Sequence, residues 1–185
     1  MPETPPPGAE PLDPVPAPRV LLAGGGTAGH VNPLLATAAA LREPALGGRE
    51  ETGILVLGTA EGLEADLVPE AGFDMSVVPR VPMPRRPTGD LFMLPRRLSR
   101  AVGAAGEAIE AVVGFGGYVS TPAYLAARRA GVPVVIHEQN ARPGLANRLG
   151  ASWAAAVALT FASTPLRSSK GRTEVTGLPL RPAIG

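Results

Sequence analysis

The sequence predicts an α/β fold built on a doubly wound, Rossmann-like parallel sheet, and three observations predict it. Short continuous apolar runs recur along the chain, at Val20–Ala23, Ile54–Leu57, Val112–Val113 and Val134–Ile136. Such runs suit strands that are covered on both faces. Stretches with helical apolar spacing lie between them, such as Leu34, Leu35, Ala38 and Leu41, giving the strand–helix alternation of a parallel sheet. Finally, glycine clusters follow two of the strands and lead straight into helix starts, where open α/β sheets bind ligands.

The first unit is Val20-Leu21-Leu22-Ala23-Gly24-Gly25-Gly26-Thr27-Ala28-Gly29-His30-Val31-Asn32-Pro33. It reads as strand, glycine turn, helix, with Pro33 suited to the first helical position because its φ is preset and its missing N–H has no intrahelical partner there. The free N–H groups and positive dipole end of that helix face the turn, where a phosphate can sit. Gly24-x-Gly26-x-x-Gly29 matches the spacing of the dinucleotide fingerprint. That fingerprint also needs an acid ending the second strand, about 20 residues on; here Gly47-Gly48-Arg49-Glu50-Glu51 precedes the next apolar run instead. Thr27 and His30 add side chains that a bare pyrophosphate turn does not require. A loop handling a phosphate or a sugar nucleotide fits better than an empty tight turn.

Next comes a strand at Ile54–Leu57 between Gly53 and Gly58. A helix follows over 61–71, with Leu63, Leu67 and Ala71 on one face and Gly72 as its stop, and a strand runs over 74–79. The segment 81–100 differs in kind. Arg80, Arg85, Arg86, Arg96, Arg97 and Arg100 stand against one acid, Asp90, among Leu91, Phe92, Met93, Leu94 and Leu98. Two readings stay open: a solvated loop followed by a helix burying Leu91, Leu94 and Leu98, or a membrane-surface patch. In the second, the arginines face anionic lipid while Phe92 and Met93 reach the acyl boundary. A weak helix over 101–111 runs almost directly into Val112, leaving fewer connecting residues than the roughly 2–6 that αβ loops take.

A second glycine turn, Gly114-Phe115-Gly116-Gly117-Tyr118-Val119-Ser120, leads into a helix capped by Ser120 or Thr121, with Pro122 at its first position and Gly131 ending it. Two such turns in one parallel sheet open at the same edge, which favours a shared site. The strand 132–136 ends in His137-Glu138-Gln139-Asn140, four polar side chains that packing does not call for. They read either as site residues or as a hydrogen-bonded loop bracing the neighbouring glycines. A short helix over 142–151 and strands over 154–161 and 173–176 complete the reading. Both histidines, His30 and His137, fall in polar motif loops at strand ends, which favours chemistry or phosphate contact over core packing.

At 185 residues the chain suits one domain of ordinary size. Eight of its 22 prolines lie in the first eighteen residues, so 1–18 is expected to be a disordered leader. It lacks the basic start and apolar run of a signal peptide, and no segment approaches the ~20 apolar residues of a membrane span. With no cysteine, disulfides and thiol catalysis are excluded and a cytoplasmic setting fits. The net charge of +1 conceals an asymmetry: residues 1–79 carry 11 acids and 3 bases, residues 80–185 carry 5 acids and 14 bases. Scarce aromatics and no reading motif argue against nucleic acid as a partner.

The two glycine motifs, together with Gly58-Thr59-Ala60-Glu61-Gly62-Leu63-Glu64, His137-Glu138-Gln139-Asn140 and Gly177-Leu178-Pro179-Leu180-Arg181, occur in the order and rough spacing of one family. From about Arg19 to Ile184 the chain resembles the MurG family of peptidoglycan glycosyltransferases. The resemblance implies the amino-terminal half of a GT-B arrangement: an acceptor-binding domain over 19–178, and 179–185 as the start of a linker. The donor-binding domain is not matched, so the chain by itself is expected not to catalyse transfer. The implied reaction moves N-acetylglucosamine from UDP-GlcNAc to the muramyl 4-hydroxyl of undecaprenyl-pyrophosphoryl-MurNAc-pentapeptide, with inversion, at the cytoplasmic face of the bacterial plasma membrane.

By the same resemblance, Thr27, Ala28, Gly29, Asn140 and Arg181 would meet the donor. His30 would deprotonate the acceptor hydroxyl or steady the diphosphate. Gly25, Gly26, Gly116, Gly117 and Tyr118 would form the acceptor diphosphate loops, with His137, Glu138 and Gln139 in support. Arg85, Arg86, Leu91, Phe92, Met93, Arg96 and Arg97 would touch an anionic membrane. Ala28 stands where many relatives carry glycine. The sequence has no Asp-x-Asp pair, so neither a metal nor another cofactor is expected. Two alternatives remain: a non-catalytic, membrane-peripheral module that holds a polyprenyl diphosphate, and a related GT-B enzyme with another lipid acceptor.

Overall fold

The computed structural model describes residues 18–78 and 109–180. The leader, the patch around Arg85, Arg86, Leu91, Phe92, Met93, Arg96 and Arg97, and Arg181 lie outside the described residues.

Seven strands form one sheet among the described residues: β1 (Arg19–Gly24), β2 (Gly53–Gly58), β3 (Asp74–Val77), β4 (Ala111–Gly116), β5 (Val134–Glu138), β6 (Ala156–Leu159) and β7 (Arg172–Val175). All neighbours pair in parallel, in the order β3-β2-β1-β4-β5-β6-β7. The helices are α1 (Ala28–Arg42), α2 (Glu64–Glu70), α3 (Ser120–Ala130) and α4 (Leu145–Gly150). Alternation along β1 shows the double winding. Val20 and Leu22 pack with Val31, Leu34, Leu35 and Ala38 of α1 and Val68 of α2. Leu21 and Ala23 pack with Ala123, Tyr124 and Ala127 of α3 and Ala146 of α4. Successive strand residues point to opposite faces, so each face of β1 buries its own helical layer.

Several boundaries differ from the sequence expectation. Helix α1 begins at Ala28, five residues before Pro33. Thr27 is its extended N-cap, and its carbonyl accepts from His30 N at 3.0 Å and Val31 N at 3.1 Å. Pro33 therefore sits inside α1, where it lacks the N–H that would bond Gly29. Pro122 is likewise the third residue of α3 rather than the first; it remains in the first turn, where N–H groups have no intrahelical partner. The α2 expectation placed Leu63 on the buried face, but Leu63 is exposed and the buried residues are Glu64 and Val68.

The strand β5 extends further than expected, so His137 and Glu138 are sheet residues and not loop residues. His30 is not in a strand-end loop either, but in the first turn of α1. The helix expected over 101–111 cannot reach Ala111, which opens β4, and Glu110 N already donates to Arg19 O at 2.9 Å.

Candidate functional site at the sheet switch point

The chain runs outward from β1 through β2 to β3, then returns to the other side of β1 with β4. The order reverses between β1 and β4, and at such a point two loops diverge from the carboxyl ends of adjacent strands and leave a crevice. The two glycine turns are those loops. Their pairing is irregular there: Ala23 pairs with Gly114 but Gly24 with Gly116.

The turns touch backbone to backbone. A Cβ on Gly117 would stand 2.7 Å from the carbonyl oxygen of Gly25, and Gly117 has φ of +79°. Both facts require glycine at this position. Ser120 ties the second turn to the first strand: its hydroxyl oxygen accepts from Gly116 N at 3.1 Å, and its proton is shared by Ala23 O and Gly116 O at 2.8 Å each.

A fully buried carboxylate braces the first turn. Glu64 accepts from Gly26 N at 2.9 Å, Thr59 N at 3.1 Å and Thr59 Oγ1 at 2.9 Å. Side chains on Gly25 or Gly62 would run into its oxygens. Burial alone would raise the Glu64 pKa, but the N–H donors of Gly26, Glu64 itself and Thr59, with the Thr59 hydroxyl, hold it below the ordinary value. Thr59 Oγ1 also lies 2.9 Å from Tyr118 OH, joining the second turn to the first.

His30 faces both turns. Its Nδ1 is 2.9 Å from Thr27 Oγ1, so Thr27 orients the ring and makes no side-chain cap to the helix. A Cβ on Gly116 would stand 3.2 Å from His30 Nε2 and 3.4 Å from Asn147 Nδ2. Burial lowers the pKa of His30, while Glu138, the Gly25 backbone and Glu64 oppose the shift. The ring is thus kept neutral at pH 7 chiefly by desolvation. Residues Gly26 to Gly29 are exposed beside it.

The third motif is mostly a brace. Glu138, 1 % exposed, accepts from Asn140 N and Asn140 Nδ2 at 2.9 Å, Gly144 N at 3.0 Å and Asn147 Nδ2 at 2.9 Å. Asn147 also donates to His137 O at 3.3 Å and accepts from Tyr124 OH at 2.8 Å. Tyr124 is buried over Gly114, and desolvation drives its pKa far up, so it stays a neutral donor. His137 packs against Phe115, ring centroids 5.9 Å apart, and its Nε2 lies 3.0 Å from Gly177 O. A carbonyl can only accept, so that nitrogen carries the proton. Burial lowers the His137 pKa against the Gly177 and Glu138 contributions. Asn140 is exposed at the outer end of the brace.

The structure therefore brings together Gly25, Gly26, Thr27, Ala28, Gly29, His30, Gly116, Gly117 and Tyr118 around one crevice. His137 and Glu138 lie behind it in the sheet. Glu64, Thr59, Ser120, Tyr124 and Asn147 also build the site and were not singled out from the sequence. Among the described residues, no group of three or more His, Asp or Glu could hold a metal. A separate cavity of about 320 Å³, lined by Arg19, Arg42, Gly53, Ile54, Leu55, Asp74 and Ile109, opens at the amino ends of β1 to β3, the opposite edge from the crevice.

Comparison with known proteins gives a consistent family. The glycosyltransferase family 28 N-terminal domain matches residues 20–159. Similar curated proteins from Nocardioides sp. (54 % identical, covering 90 % of this chain) and Frankia casuarinae (56 % identical, covering 89 %) carry one name, UDP-N-acetylglucosamine–N-acetylmuramyl-(pentapeptide) pyrophosphoryl-undecaprenol N-acetylglucosamine transferase. The chain spans 45 % and 43 % of their respective lengths. Among solved structures, Acinetobacter baumannii MurG aligns with a TM-score of 0.68 at 30 % identity, covering 84 % of this chain and 45 % of that one. Anabaena HepE with UDP and glucose aligns at 0.56 and 17 % identity, covering 88 % of this chain and 44 % of that one, a likeness of fold.

Proposed function

The chain belongs to glycosyltransferase family 28 through its N-terminal domain, and on that premise we propose that it supplies the acceptor-binding half of an N-acetylglucosaminyltransferase. The whole protein would move N-acetylglucosamine from UDP-GlcNAc to undecaprenyl-pyrophosphoryl-MurNAc-pentapeptide. The observation that carries this reading is the closure of the two glycine turns at the switch point, with Gly117 against Gly25 and His30 facing both. Support also comes from the shared name of relatives that are more than half identical.

In this reading His30 is the general base. Its Nδ1–H donates to Thr27 Oγ1, and Nε2 keeps the lone pair. Nε2 takes the proton of the attacking acceptor hydroxyl while that oxygen bonds to the anomeric carbon. The bond from that carbon to the diphosphate oxygen breaks from the opposite face, so the configuration inverts and UDP leaves with the electron pair. A positioned base of this kind contributes about 10²–10⁴ in rate. Thr27, Ala28, Gly29 and Asn140, all exposed beside His30 or at the end of the brace, would contact the donor, together with Arg181. The exposed turn and the amino end of α1 would receive the acceptor diphosphate. The arginines between Arg85 and Arg100 would hold the protein at an anionic bilayer surface on the cytoplasmic side. Among the described residues no helix is long and apolar enough to cross a membrane.

The test joins this chain to the remaining carboxyl-terminal residues of the Nocardioides relative and varies both substrates. His30→Ala is expected to lower kcat by about 10²–10⁴ with donor KM and melting temperature nearly unchanged. A variant with near-normal kcat removes His30 from the role of base, and absence of transfer in the parent chimera overturns the reading.

A further inference from the structure

We propose that Glu64 sets the direction of a proton-ordered chain, Tyr118 to Thr59 to Glu64, so that Tyr118 meets its ligand as a hydrogen-bond acceptor. It would then recognise a sugar hydroxyl or a peptide N–H of the acceptor, not an oxygen of its diphosphate. The inference deepens the acceptor-binding reading and rests on it.

The argument is one of donors and acceptors. Glu64 is surrounded by donors: Gly26 N, Thr59 N and Thr59 Oγ1 all lie within 3.1 Å of its oxygens. An ionised carboxylate offers lone pairs only. The Thr59 hydroxyl has a single proton, and Thr59 and Glu64 are both fully buried. Were that proton turned elsewhere, two oxygens 2.9 Å apart would face each other lone pair to lone pair in a site closed to water. The proton therefore goes to Glu64 Oε1. Thr59 Oγ1 can then only accept from Tyr118 OH, 2.9 Å away.

That order commits the phenolic proton inward. Tyr118 is half-buried, and its ring lies against the exposed Gly26: a Cβ there would stand 3.6 Å from Tyr118 Cε1. The phenol thus sits at the junction of the two turns. What its oxygen still has to offer there is lone pairs, which attract a hydroxyl or an amide N–H and repel a phosphate oxygen. The diphosphate role expected for Tyr118 from sequence is replaced by a role in reading the sugar or its peptide.

Two measurements on the 185-residue chain test this. In calorimetric titration the probes are a short-chain prenyl-pyrophosphoryl-MurNAc-pentapeptide and the prenyl pyrophosphate of equal chain length. Tyr118→Phe, which keeps the ring against Gly26, is expected to weaken the first about five- to tenfold, the worth of one neutral hydrogen bond. The second should change by less than about twofold, since no bond to it is lost. Equal weakening of both probes, or none of the first, overturns the proposal. Neutron diffraction from the deuterated chain should place the Thr59 deuteron towards Glu64 Oε1 and the Tyr118 deuteron towards Thr59 Oγ1. A Thr59 deuteron aimed at Tyr118, or one carried by Glu64, overturns it as well. If the wild-type chain binds neither probe, the acceptor reading falls and takes the ligand role of Tyr118 with it, while the deuteron positions still decide the direction of the chain.

Discussion

Replacing Glu64 with leucine tests whether a single buried carboxylate shapes the first glycine turn. The substitution strands three donors, Gly26 N, Thr59 N and Thr59 Oγ1, in a site from which the new side chain excludes water. Each unsatisfied buried donor costs about 1–3 kcal/mol. Removing the charge returns part of this, because the carboxylate no longer has to be desolvated. The net loss is roughly 3–5 kcal/mol, the range seen when one member of a buried charged network is removed. At about 2–4 °C per kcal/mol for a chain of this size, the melting temperature should fall by roughly 10 °C.

The effect carries a pH signature with a fixed sign. The folded-state pKa of Glu64 is held below its ordinary value of 4.5. Its contribution is therefore complete above the ordinary carboxylate range and is lost as pH falls through the lowered value. Urea denaturation of both proteins at pH 7 and at about pH 3 measures this: the gap should be wide at the first and narrow at the second. A gap under about 1 kcal/mol at pH 7, or one unchanged in acid, refutes the reasoning.

Three further outcomes are expected. Gly117→Ala places a Cβ 2.7 Å from Gly25 O at a φ of +79°, and thermal melts should show a loss of about 1–3 kcal/mol. Asn147→Leu removes the link between Tyr124 and Glu138 and should cost about 2–4 kcal/mol through stranded partners, read by urea denaturation; a loss below 1 kcal/mol would show that water replaces the amide. The His30 ring, its pKa lowered by burial, should titrate below 6.5 when its Cε1 proton is followed by NMR. A midpoint above that value would mean that Glu138 and Glu64 outweigh burial.

Much of this architecture was legible because local physics writes it into the sequence. The unbroken apolar run Val20–Ala23 marks a strand buried on both faces, and the left-handed φ of Gly26, Gly116 and Gly117 demands the glycine clusters that flag the turns. Gly131, ending α3 in the left-handed region, follows the same rule. Element limits were less legible where two signals competed. Pro33 marks a helix start by its own chemistry, yet Thr27 caps α1 earlier and Pro33 is carried inside. Leu63 looked like a core residue by its spacing, whereas the buried position next to it is held by Glu64, which hydrogen bonds keep in place.

The sequence by itself determined the alternation of strands and helices, the two glycine turns and the placing of His30 beside the first of them, since each depends on residues a few positions apart. Tertiary structure alone decided that the turns meet, that Glu138 and Asn147 brace the loop behind them, and that burial, rather than the helix dipole, keeps His30 neutral. The bonds responsible join Gly26 to Glu64 across 38 positions, Thr59 to Tyr118 across 59 and Ser120 to Ala23 across 97. No local propensity encodes a pairing at such distance. It exists because the strand order reverses beside β1, and the parallel sheet then sets the ends of β1 and β4 side by side.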